Sequence, residues 1–254
     1  MGLATLFLAW DAGHAWADVP PGDRKSGVEF TSPATQAMQR DDAANPGMLA
    51  VMDGEALWES PQGEARKACA DCHRQANQSM KGVAARYPAF DTLTGRPLDL
   101  QGRIQACQSR HQRAAVLPHE SPQLLGLVAY VALQSRGMPI APPEDDRLQP
   151  FRAQGQALWR QRMGQLHFAC SQCHDDHWGA RLGPAVIPQG HPQGYPIYRL
   201  EWQAMGSLQR RLRSCMSAAR AEPFAYGAPE LVNLELYLTH RARGMAMETP
   251  GVRP

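Results

Sequence analysis

The chain has 254 residues, of which 26 are Lys or Arg and 24 are Asp or Glu, so its formal net charge at pH 7 is +2. A charge this close to neutral gives no support to nucleic-acid binding. No stretch has the roughly 20 consecutive apolar residues that a transmembrane helix needs. The length is enough for two small domains.

The N-terminal residues, MGLATLFLAWDAGHAWADVP, contain a short apolar run followed by Ala15-x-Ala17. This pattern is typical of a secretory signal peptide, and we expect cleavage after Ala17. Asp11 interrupts the run and no basic residue precedes it, so the signal is a weak one. We predict a signal peptide over residues 1–17 and an N-terminal extension over residues 18–45.

Two short motifs contain four of the six cysteines: CADCH at residues 69–73 and CSQCH at residues 170–174. C-x-x-C-H is the attachment signal for c-type haem. On a helix, positions i, i+3 and i+4 share one face, so both thiols and the imidazole point the same way. The thiols can then bond the two vinyl groups of one porphyrin while the histidine reaches the iron. We expect two covalently bound haem c groups, held by Cys69, Cys72 and His73 and by Cys170, Cys173 and His174.

The alternatives for these motifs are a zinc site or a redox-active cysteine pair. Zinc would use four thiolates, or two thiolates with two imidazoles, and the histidine directly after each second cysteine is then unexplained. A thioredoxin-like motif needs a βαβ context, whereas the flanking sequence here predicts helix. Covalent haem attachment also indicates the oxidising side of a membrane, so we predict a periplasmic location.

The surroundings of the two motifs repeat. GEALW at residues 54–58 and GQALW at residues 155–159 each end eleven residues before the first cysteine of a motif. Downstream, each half contains a Tyr-Pro pair, an R-x-x-x-C sequence and a closing Arg-Gly-Met. In the first half these begin at Tyr87, Arg103 and Arg136. In the second half they begin at Tyr195, Arg211 and Arg243. The chain is therefore a duplicated unit of roughly a hundred residues, the usual size of one domain.

Each half closes with a predicted helix. SPQLLGLVAYVALQSRG offers Ser121 as N-cap, Pro122 at the first helical position and Gly137 just past the end. GAPELVNLELYLTHRARG repeats the plan with Pro229 and Gly244. No strand alternation of any length competes with helix in the sequence.

Together these patterns predict an all-α fold of two tandem c-type cytochrome domains related by internal duplication. We place the first domain at residues 46–137 and the second at residues 151–254. The Pro-rich MPIAPPEDDRLQP, residues 138–150, is the predicted linker between them.

Cys107 and Cys215 lie outside the motifs, at corresponding places in the two repeats. An oxidising compartment permits a disulfide between them. Corresponding residues of duplicated domains usually do the same job separately, which here would be to ligate iron opposite His73 and His174. A thiolate ligand would lower the haem potential, whereas methionine raises it. Other candidate ligands remain open: Met80, Met138, Met205, Met216, Met245, His111, His119 and His191.

The segment around Cys215, QRRLRSCMSAAR, has four arginines and no acidic residue. An exposed basic helix face is the ordinary explanation of such a segment. A guanidinium beside a cysteine, however, favours the thiolate over the thiol. Cys215 is therefore a candidate reactive sulfur.

After the predicted signal peptide, essentially the whole chain resembles the SoxA family, the dihaem A subunits of thiosulfate-oxidising SoxAX cytochromes. SGVEFTSPATQAMQRDDAANPGMLAVMDGEALW is similar to the N-terminal segment of that family, with AMQRDD and NPGML as its most specific parts. CADCH, the lone Cys107, CSQCH and RRLRSC then follow in the family's order. The extreme N-terminus departs from the family because it lacks a basic signal region.

The resemblance implies a role for each candidate residue. His73 and Cys107 would be the axial ligands of the first haem, and His174 and Cys215 those of the second. Cys215 would also carry the active-site persulfide. Arg211 would bind substrate, and Arg241, in THRARG, is similar to another active-site arginine of the family.

The resemblance also implies an enzyme of the L-cysteine S-thiosulfotransferase type. Thiosulfate would be coupled oxidatively to a cysteine of a sulfur-carrier protein, giving a cysteine S-thiosulfonate and two electrons. The implied partners are thiosulfate, a SoxYZ-like sulfur carrier and a SoxX-like second cytochrome c subunit, with which the chain would form a heterodimer. The first haem would then be structural or vestigial for catalysis rather than an electron relay.

Two other functions remain open from the sequence. A non-catalytic dihaem electron carrier with His/Met or His/His ligation explains both motifs and the repeat. It does not explain two repeat-matched cysteines, each with an arginine one helical turn upstream. A dihaem peroxidase would need one iron with an open coordination site.

Overall fold

The computed structural model describes residues 19–254, so the signal peptide predicted over residues 1–17 lies outside the described residues. The helices of the first half are α1 Pro33–Arg40, α2 Gly47–Glu59, α3 Cys69–His73, α4 Ala76–Ser79, α5 Leu100–Cys107 and α6 Pro122–Leu133. Those of the second half are α7 Gln149–Arg160, α8 Cys170–His174, α9 Leu208–Ala218 and α10 Pro229–Arg241. A π-helical turn, Gln108–Gln112, continues α5.

Short strands connect these helices. They are β1 Ala89–Asp91, β2 Arg96–Leu98, β3 Arg181–Leu182, β4 Ala185–Val186, β5 Ile197–Arg199, β6 Ala204–Gly206 and β7 Gly251–Arg253. β1–β2, β3–β4 and β5–β6 pair as antiparallel hairpins, and β7 adds to β5 in parallel. The all-α fold class predicted from the sequence is confirmed, with these small sheets as additions that the sequence patterns did not indicate.

Each half is built on one close crossing of two helices, α2 with α6 and α7 with α10. At the first crossing a Cβ on Gly54 would overlap the carbonyl oxygen of Gly126. At the second, a Cβ on Gly155 would overlap the carbonyl oxygen of Asn233. Glycine is therefore required at the same place in both repeats, because only a residue without a side chain lets the two backbones approach this closely. This is the physical reason for the repeated GEALW and GQALW sequences.

The same crossings position a tryptophan against each motif. Trp58 is 3% exposed and donates from its indole nitrogen to the carbonyl of Arg74, at 3.0 Å. Trp159 is 2% exposed and donates to the Asp175 carboxylate, at 2.8 Å. Each indole thus packs in the core of its half and bonds to the residue directly after the C-x-x-C-H histidine. Apolar residues at helical spacing complete the core of the second half, namely Leu231, Leu234 and Leu238.

The closing helices begin as predicted and end earlier than predicted. Ser121 caps α6 by accepting a bond from the Leu124 amide at 3.3 Å, and Pro122 and Pro229 are the first residues of α6 and α10. The prediction that α6 runs up to Gly137 is wrong, because the helix ends at Leu133. Residues 134–136 continue as turns whose amides bond three residues back, which tightens the chain before Gly137.

The segments that follow these helices join the two halves. The Gly137 amide, with φ of 78°, donates to the Met247 carbonyl at 2.8 Å, and the Gly244 amide, with φ of 84°, donates to Ile140 at 2.8 Å. Ile140 and Leu148, within the predicted linker, are both 2% exposed. The predicted linker, residues 138–150, is therefore anchored to the protein at these two side chains.

Substitution of Gly155 tests the helix crossing. We expect Gly155→Ala to lower the free energy of unfolding by about 1–3 kcal/mol or more, because the added methyl group overlaps backbone that cannot move aside. Gly22→Ala is the matched control, since a Cβ there meets no atom within 4 Å. Urea unfolding of the two variants measures the difference, and equal stability would contradict the proposed role of the crossing.

His240, near the C-terminal end of α10, predicts a pH dependence of stability. Burial, with the nearby Arg152 and Arg243, lowers its pKa from 6.5 to about 4, so the folded protein resists the proton that the unfolded chain accepts. Stability is therefore lost as the pH falls from about 6.5 to about 4. Between these pH values, the wild type should lose about 1 kcal/mol more of its free energy of unfolding than His240→Asn does. This value is reduced because solvent screens a half-buried group.

Unfolding curves at pH 7 and pH 4 measure this contribution. The exposed His167, substituted in the same way, serves as the control. A wild type and a His240→Asn variant that lose stability in parallel would show that His240 does not contribute.

Candidate functional site

The second C-x-x-C-H motif forms α8, and its histidine is held in one orientation. The Gln172 side chain accepts a bond from the Ala169 amide at 2.8 Å, which caps the start of the short helix. The Nδ1 of His174 lies 2.7 Å from the carbonyl oxygen of Pro188. A carbonyl can only accept, so Nδ1 carries the proton and Nε2 keeps its lone pair. The ring is also stacked on Trp159, with centroids 5.5 Å apart.

Cys215 faces this histidine from α9. The imidazole of His174 acts on the Cys215 sulfur, and Arg211 lies one helical turn before Cys215 on the same helix. Burial alone raises the pKa of the Cys215 thiol, but the proximity of His174 and the charges of Arg211 and Arg199 outweigh it. The pKa of Cys215 therefore lies below its ordinary value, and the thiolate is favoured.

The first motif also has a tryptophan, a histidine and a lone cysteine beside it, but there the pKa of the lone cysteine is raised. Cys107, at the end of α5, acts on the Cys69 thiol, so the structure brings these two sulfurs together. Burial raises the pKa of Cys107 despite the charges of Arg103 and Arg110. His73 packs against Trp58, with ring centroids 5.7 Å apart. The first site thus disfavours the thiolate that the second site favours.

Each donor set fits a c-type haem. Burial raises the pKa of Cys69 to about 11 and that of Cys170 to about 12, so these environments suit uncharged sulfur, which is what a thioether to a porphyrin provides. His174 can offer Nε2 to iron, because its Nδ1 is already bonded to the Pro188 carbonyl. Among residues 19–254, no three His, Cys, Asp or Glu side chains converge as a metal site by themselves. A haem iron needs only two protein ligands, because the porphyrin supplies four.

The lone cysteines belong to different sites. All six cysteines lie within the described residues, and all six are free. Cys107 neighbours Cys69 and Cys72, whereas Cys215 neighbours Cys170 and Cys173. In the structure the alternative of a Cys107–Cys215 disulfide is therefore not formed.

Arg241, a predicted site residue, lies in α10 with its side chain 1% exposed. It forms an ion pair with Asp175 at 2.7 Å, and its guanidinium lies over the Trp159 ring, 4.8 Å from the centroid. The structure thus places Arg241 beside the residue that follows His174. The charges that act on Cys215 come instead from Arg211 and Arg199.

Sequence analysis did not single out Arg199 or Asp175, and it noted Tyr195 only as part of the repeat. Tyr195 lies among the charges of Arg211, Arg253 and Arg199, and its own pKa is raised by burial. The signal was available: Tyr-Pro recurs in both halves, and the residue three places beyond that proline is charged in each, as Asp91 and Arg199. Asp175 carries no sequence signal, because its role depends on the distant Trp159 and Arg241.

Two tandem helix pairs, each holding a C-x-x-C-H turn against a core tryptophan, define a c-type cytochrome of two domains. Comparison with known proteins agrees. The family model described as SoxA/TsdA, cytochrome c domain, matches the chain twice, at residues 53–140 and 154–247. The predicted duplication is confirmed by these two matches.

Relatives and a solved structure extend over most of the chain. The chain is 35% identical to the L-cysteine S-thiosulfotransferase subunit SoxA of Rhodovulum sulfidophilum and 38% identical to that of Pseudaminobacter salicylatoxidans. Each match covers 90% of this chain and 80% of the relative. The crystal structure of SoxXA from P. pantotrophus matches with a TM-score of 0.87 and 31% identity, over 91% of this chain and 87% of that one. The chain belongs to the SoxA/TsdA cytochrome c family.

The structure also bears on membrane insertion. Within residues 19–254, none of the helices has the length and apolar character required to cross a bilayer.

The Arg241–Asp175 pair yields a prediction about stability. We expect Arg241→Gln and Asp175→Asn each to lower the free energy of unfolding by about 3–5 kcal/mol, because each leaves a buried charge without its partner. The double variant should cost less than the sum of the two. Arg243→Gln is the control. The side chains of Arg243 and its ion-pair partner Glu144 are 42% and 75% exposed, so loss of this pair should lower the free energy of unfolding by about 1 kcal/mol or less.

A double-mutant cycle by chemical denaturation measures the coupling. Strictly additive losses would show that the buried pair does not stabilise this part of the second half.

Proposed function

We propose that this protein is the catalytic subunit of a haem-dependent L-cysteine S-thiosulfotransferase, which couples thiosulfate oxidatively to a cysteine of a sulfur-carrier protein. The observation that carries the proposal is the arrangement at Cys215, where Arg211 and His174 both act on one sulfur beside CSQCH. The names of its 35% and 38% identical relatives support the same reaction. A non-catalytic electron carrier would not need a positively charged site around a free cysteine.

We propose that two haem c groups are bound covalently, one in each domain, over residues 46–137 and 151–254. The thioether bonds would be formed by the paired cysteines of each motif, and the irons would be held by His73 with Cys107 and by His174 with Cys215. When bound, the second haem supplies a one-electron acceptor next to the Cys215 sulfur. The fit of each donor set, described above, supports this assignment.

The overall reaction balances as two half-steps on sulfur. A persulfide of Cys215 and thiosulfate lose two electrons and form one sulfur–sulfur bond, giving Cys–S–S–S–SO₃⁻. The thiolate of the carrier cysteine then attacks this chain, forms the S-thiosulfonate and releases the Cys215 persulfide, so the second half-step is redox-neutral. The two electrons pass to the oxidised second cytochrome subunit, one at a time.

The residues of the chain have separate tasks in this scheme. Arg211 binds the sulfonate group of thiosulfate, because a guanidinium can donate two parallel hydrogen bonds to an oxyanion. Cys215 carries the sulfur that forms the new bond, and the lowered pKa of its thiol is consistent with sulfur held in the anionic, nucleophilic form. His174 is held in place by Pro188 and Trp159 and keeps the opposite face of the site rigid.

The partners follow from the reaction and from the relatives. The crystal structure that resembles this chain is a SoxXA complex, which supports a SoxX-like cytochrome c subunit as the second member of a heterodimer. The carrier would be a SoxYZ-like protein with an exposed, reactive cysteine. Thiosulfate oxidation by covalent haem proteins belongs to an oxidising compartment, so we propose the periplasm.

Substitution of Cys215 and Arg211 tests the function. With thiosulfate, a carrier cysteine and an oxidised cytochrome, Cys215→Ala should lower kcat/KM by about 1000-fold or more, because the bond-forming sulfur is gone. Arg211→Gln should lower kcat/KM by about 10- to 100-fold through weaker anion binding. Arg213→Gln, on the same helix, is the control of equal charge and should retain wild-type turnover.

Peptide mass spectrometry of the haem-loaded protein separates loss of chemistry from loss of cofactor. Haem mass on both C-x-x-C-H peptides of each variant shows that the cofactors are retained, and one extra sulfur on the wild-type Cys215 peptide shows the persulfide. Unchanged turnover of Cys215→Ala with both haems in place would contradict the proposal and favour an electron carrier.

A further inference from the structure

The two halves differ in charge at one structurally equivalent position. YPAFD in the first half corresponds to YPIYR in the second, so Asp91 matches Arg199. The hairpins that hold them are equivalent: Asp91 is the last residue of β1 and pairs with Arg96, and Arg199 is the last residue of β5 and pairs with Ala204. In each hairpin, four residues separate this last strand residue from the residue it pairs with. The duplication has thus placed an acid in one half where the other has a base.

In the first half, Asp91 neutralises the arginine that precedes the lone cysteine. Its carboxylate, 3% exposed, forms ion pairs with Arg103 at 3.1 Å and with Arg110 at 3.0 Å. Arg103 lies one helical turn before Cys107, as Arg211 lies before Cys215. The negative charge of this buried carboxylate repels a second anion and offsets the guanidinium charge that would attract one. The first half is therefore closed to anions at this place.

In the second half, the corresponding arginine has no such partner. Within residues 19–254, Arg211 forms no ion pair, and Arg199 stands where a carboxylate would have to be. Arg199 is paired at 2.9 Å with Glu201, whose side chain is 66% exposed. The Arg199 side chain is 16% exposed, but solvent screens the largely exposed Glu201 carboxylate, so this pair holds Arg199 only weakly. The nearby Arg253 is engaged by Glu248 and Gln39 and contributes no uncompensated charge.

Two guanidinium groups act on one sulfur, and the acidic residue paired with them, Glu201, is largely exposed, so the site attracts a further anion. The Trp202 ring contacts both Arg199 and Arg210, the residue before Arg211 on α9, so Arg199 lies near the start of that helix. The charge of Arg199 also acts on Cys215 and on Tyr195. Its guanidinium also lies 5.1 Å from the centroid of the Trp202 ring, a contact that keeps the planar group oriented. A doubly charged oxyanion with oxygens on one end suits such a pair of planar donors.

We propose that Arg199 is a second anion-binding residue of the Cys215 site, acting with Arg211, and that Asp91 closes the equivalent place beside Cys107. The identity of the anion as thiosulfate rests on the proposed function. The second half has Arg199 where the first half has Asp91. This difference would explain why only the site at Cys215 processes substrate. It also makes Arg199 a determinant of specificity, because a second positive charge selects a dianion over a monoanion.

Calorimetric titration of the haem-loaded protein with sodium thiosulfate, at low ionic strength, tests this without requiring turnover. We expect one thiosulfate per chain. Arg199→Gln should weaken binding by about 10-fold, and Arg199→Asp, which gives Arg211 the partner that Arg103 has, by about 100-fold or more. Arg210→Gln is the matched control, because Arg210 contacts the same Trp202 ring at 4.0 Å and loses the same charge. Haem absorption and thermal unfolding verify that each variant is folded.

The outcomes separate this inference from the proposed function. If wild type and Arg199→Gln bind thiosulfate equally, Arg199 is not an anion-binding residue, whatever the turnover. Two thiosulfates per chain would overturn the role of Asp91. A wild type that binds thiosulfate through Arg199 but transfers none of it to a carrier cysteine would overturn the proposed function and leave the inference standing. In steady-state assays, Arg199→Gln should raise KM by about 10-fold with kcat nearly unchanged, whereas an effect on kcat alone would contradict a binding role.

Discussion

The close crossing of two helices in each half is the constraint on which the rest of this structure depends. At both crossings a glycine lets one helix backbone touch the other, and no side chain could be inserted there. The crossing buries Trp58 and Trp159, and each indole then contacts the C-x-x-C-H turn of its half through a ring contact and a hydrogen bond. The positions of the thiols and imidazoles are thus set by backbone packing that lies outside the motifs themselves.

The two halves share this scaffold and differ in their electrostatics. In the first, a buried aspartate binds the arginines around the lone cysteine, and the pKa of that cysteine is raised. In the second, an arginine occupies the aspartate's position, and the pKa of the lone cysteine is lowered. A duplicated fold therefore accommodates one closed and one charged site, because charges at the end of a hairpin change without disturbing the helix packing beneath it.

The interface between the halves depends on short segments after the closing helices. Gly137 and Gly244 adopt positive φ and donate across to the opposite half, and Ile140 is buried between them. These contacts make residues 138–150, a linker by composition, part of the packed structure. Proline and charge in a sequence indicate that a segment is irregular, but they do not show whether tertiary hydrogen bonds hold it in place.

The sequence by itself determined the tandem fold, the two C-x-x-C-H turns, the duplication and the start of each closing helix, because these depend on local spacing and caps. It also made Cys215 and Arg211 candidate site residues, because they lie one helical turn apart. Only the tertiary structure decided which residues surround them. The charge of Arg199, on a hairpin, acts on Cys215, Asp175 at the end of α8 pairs with Arg241, and Asp91 pairs with Arg103 within the first half. Ion pairs and pKa shifts arise from burial and proximity between distant segments, and no local pattern encodes either.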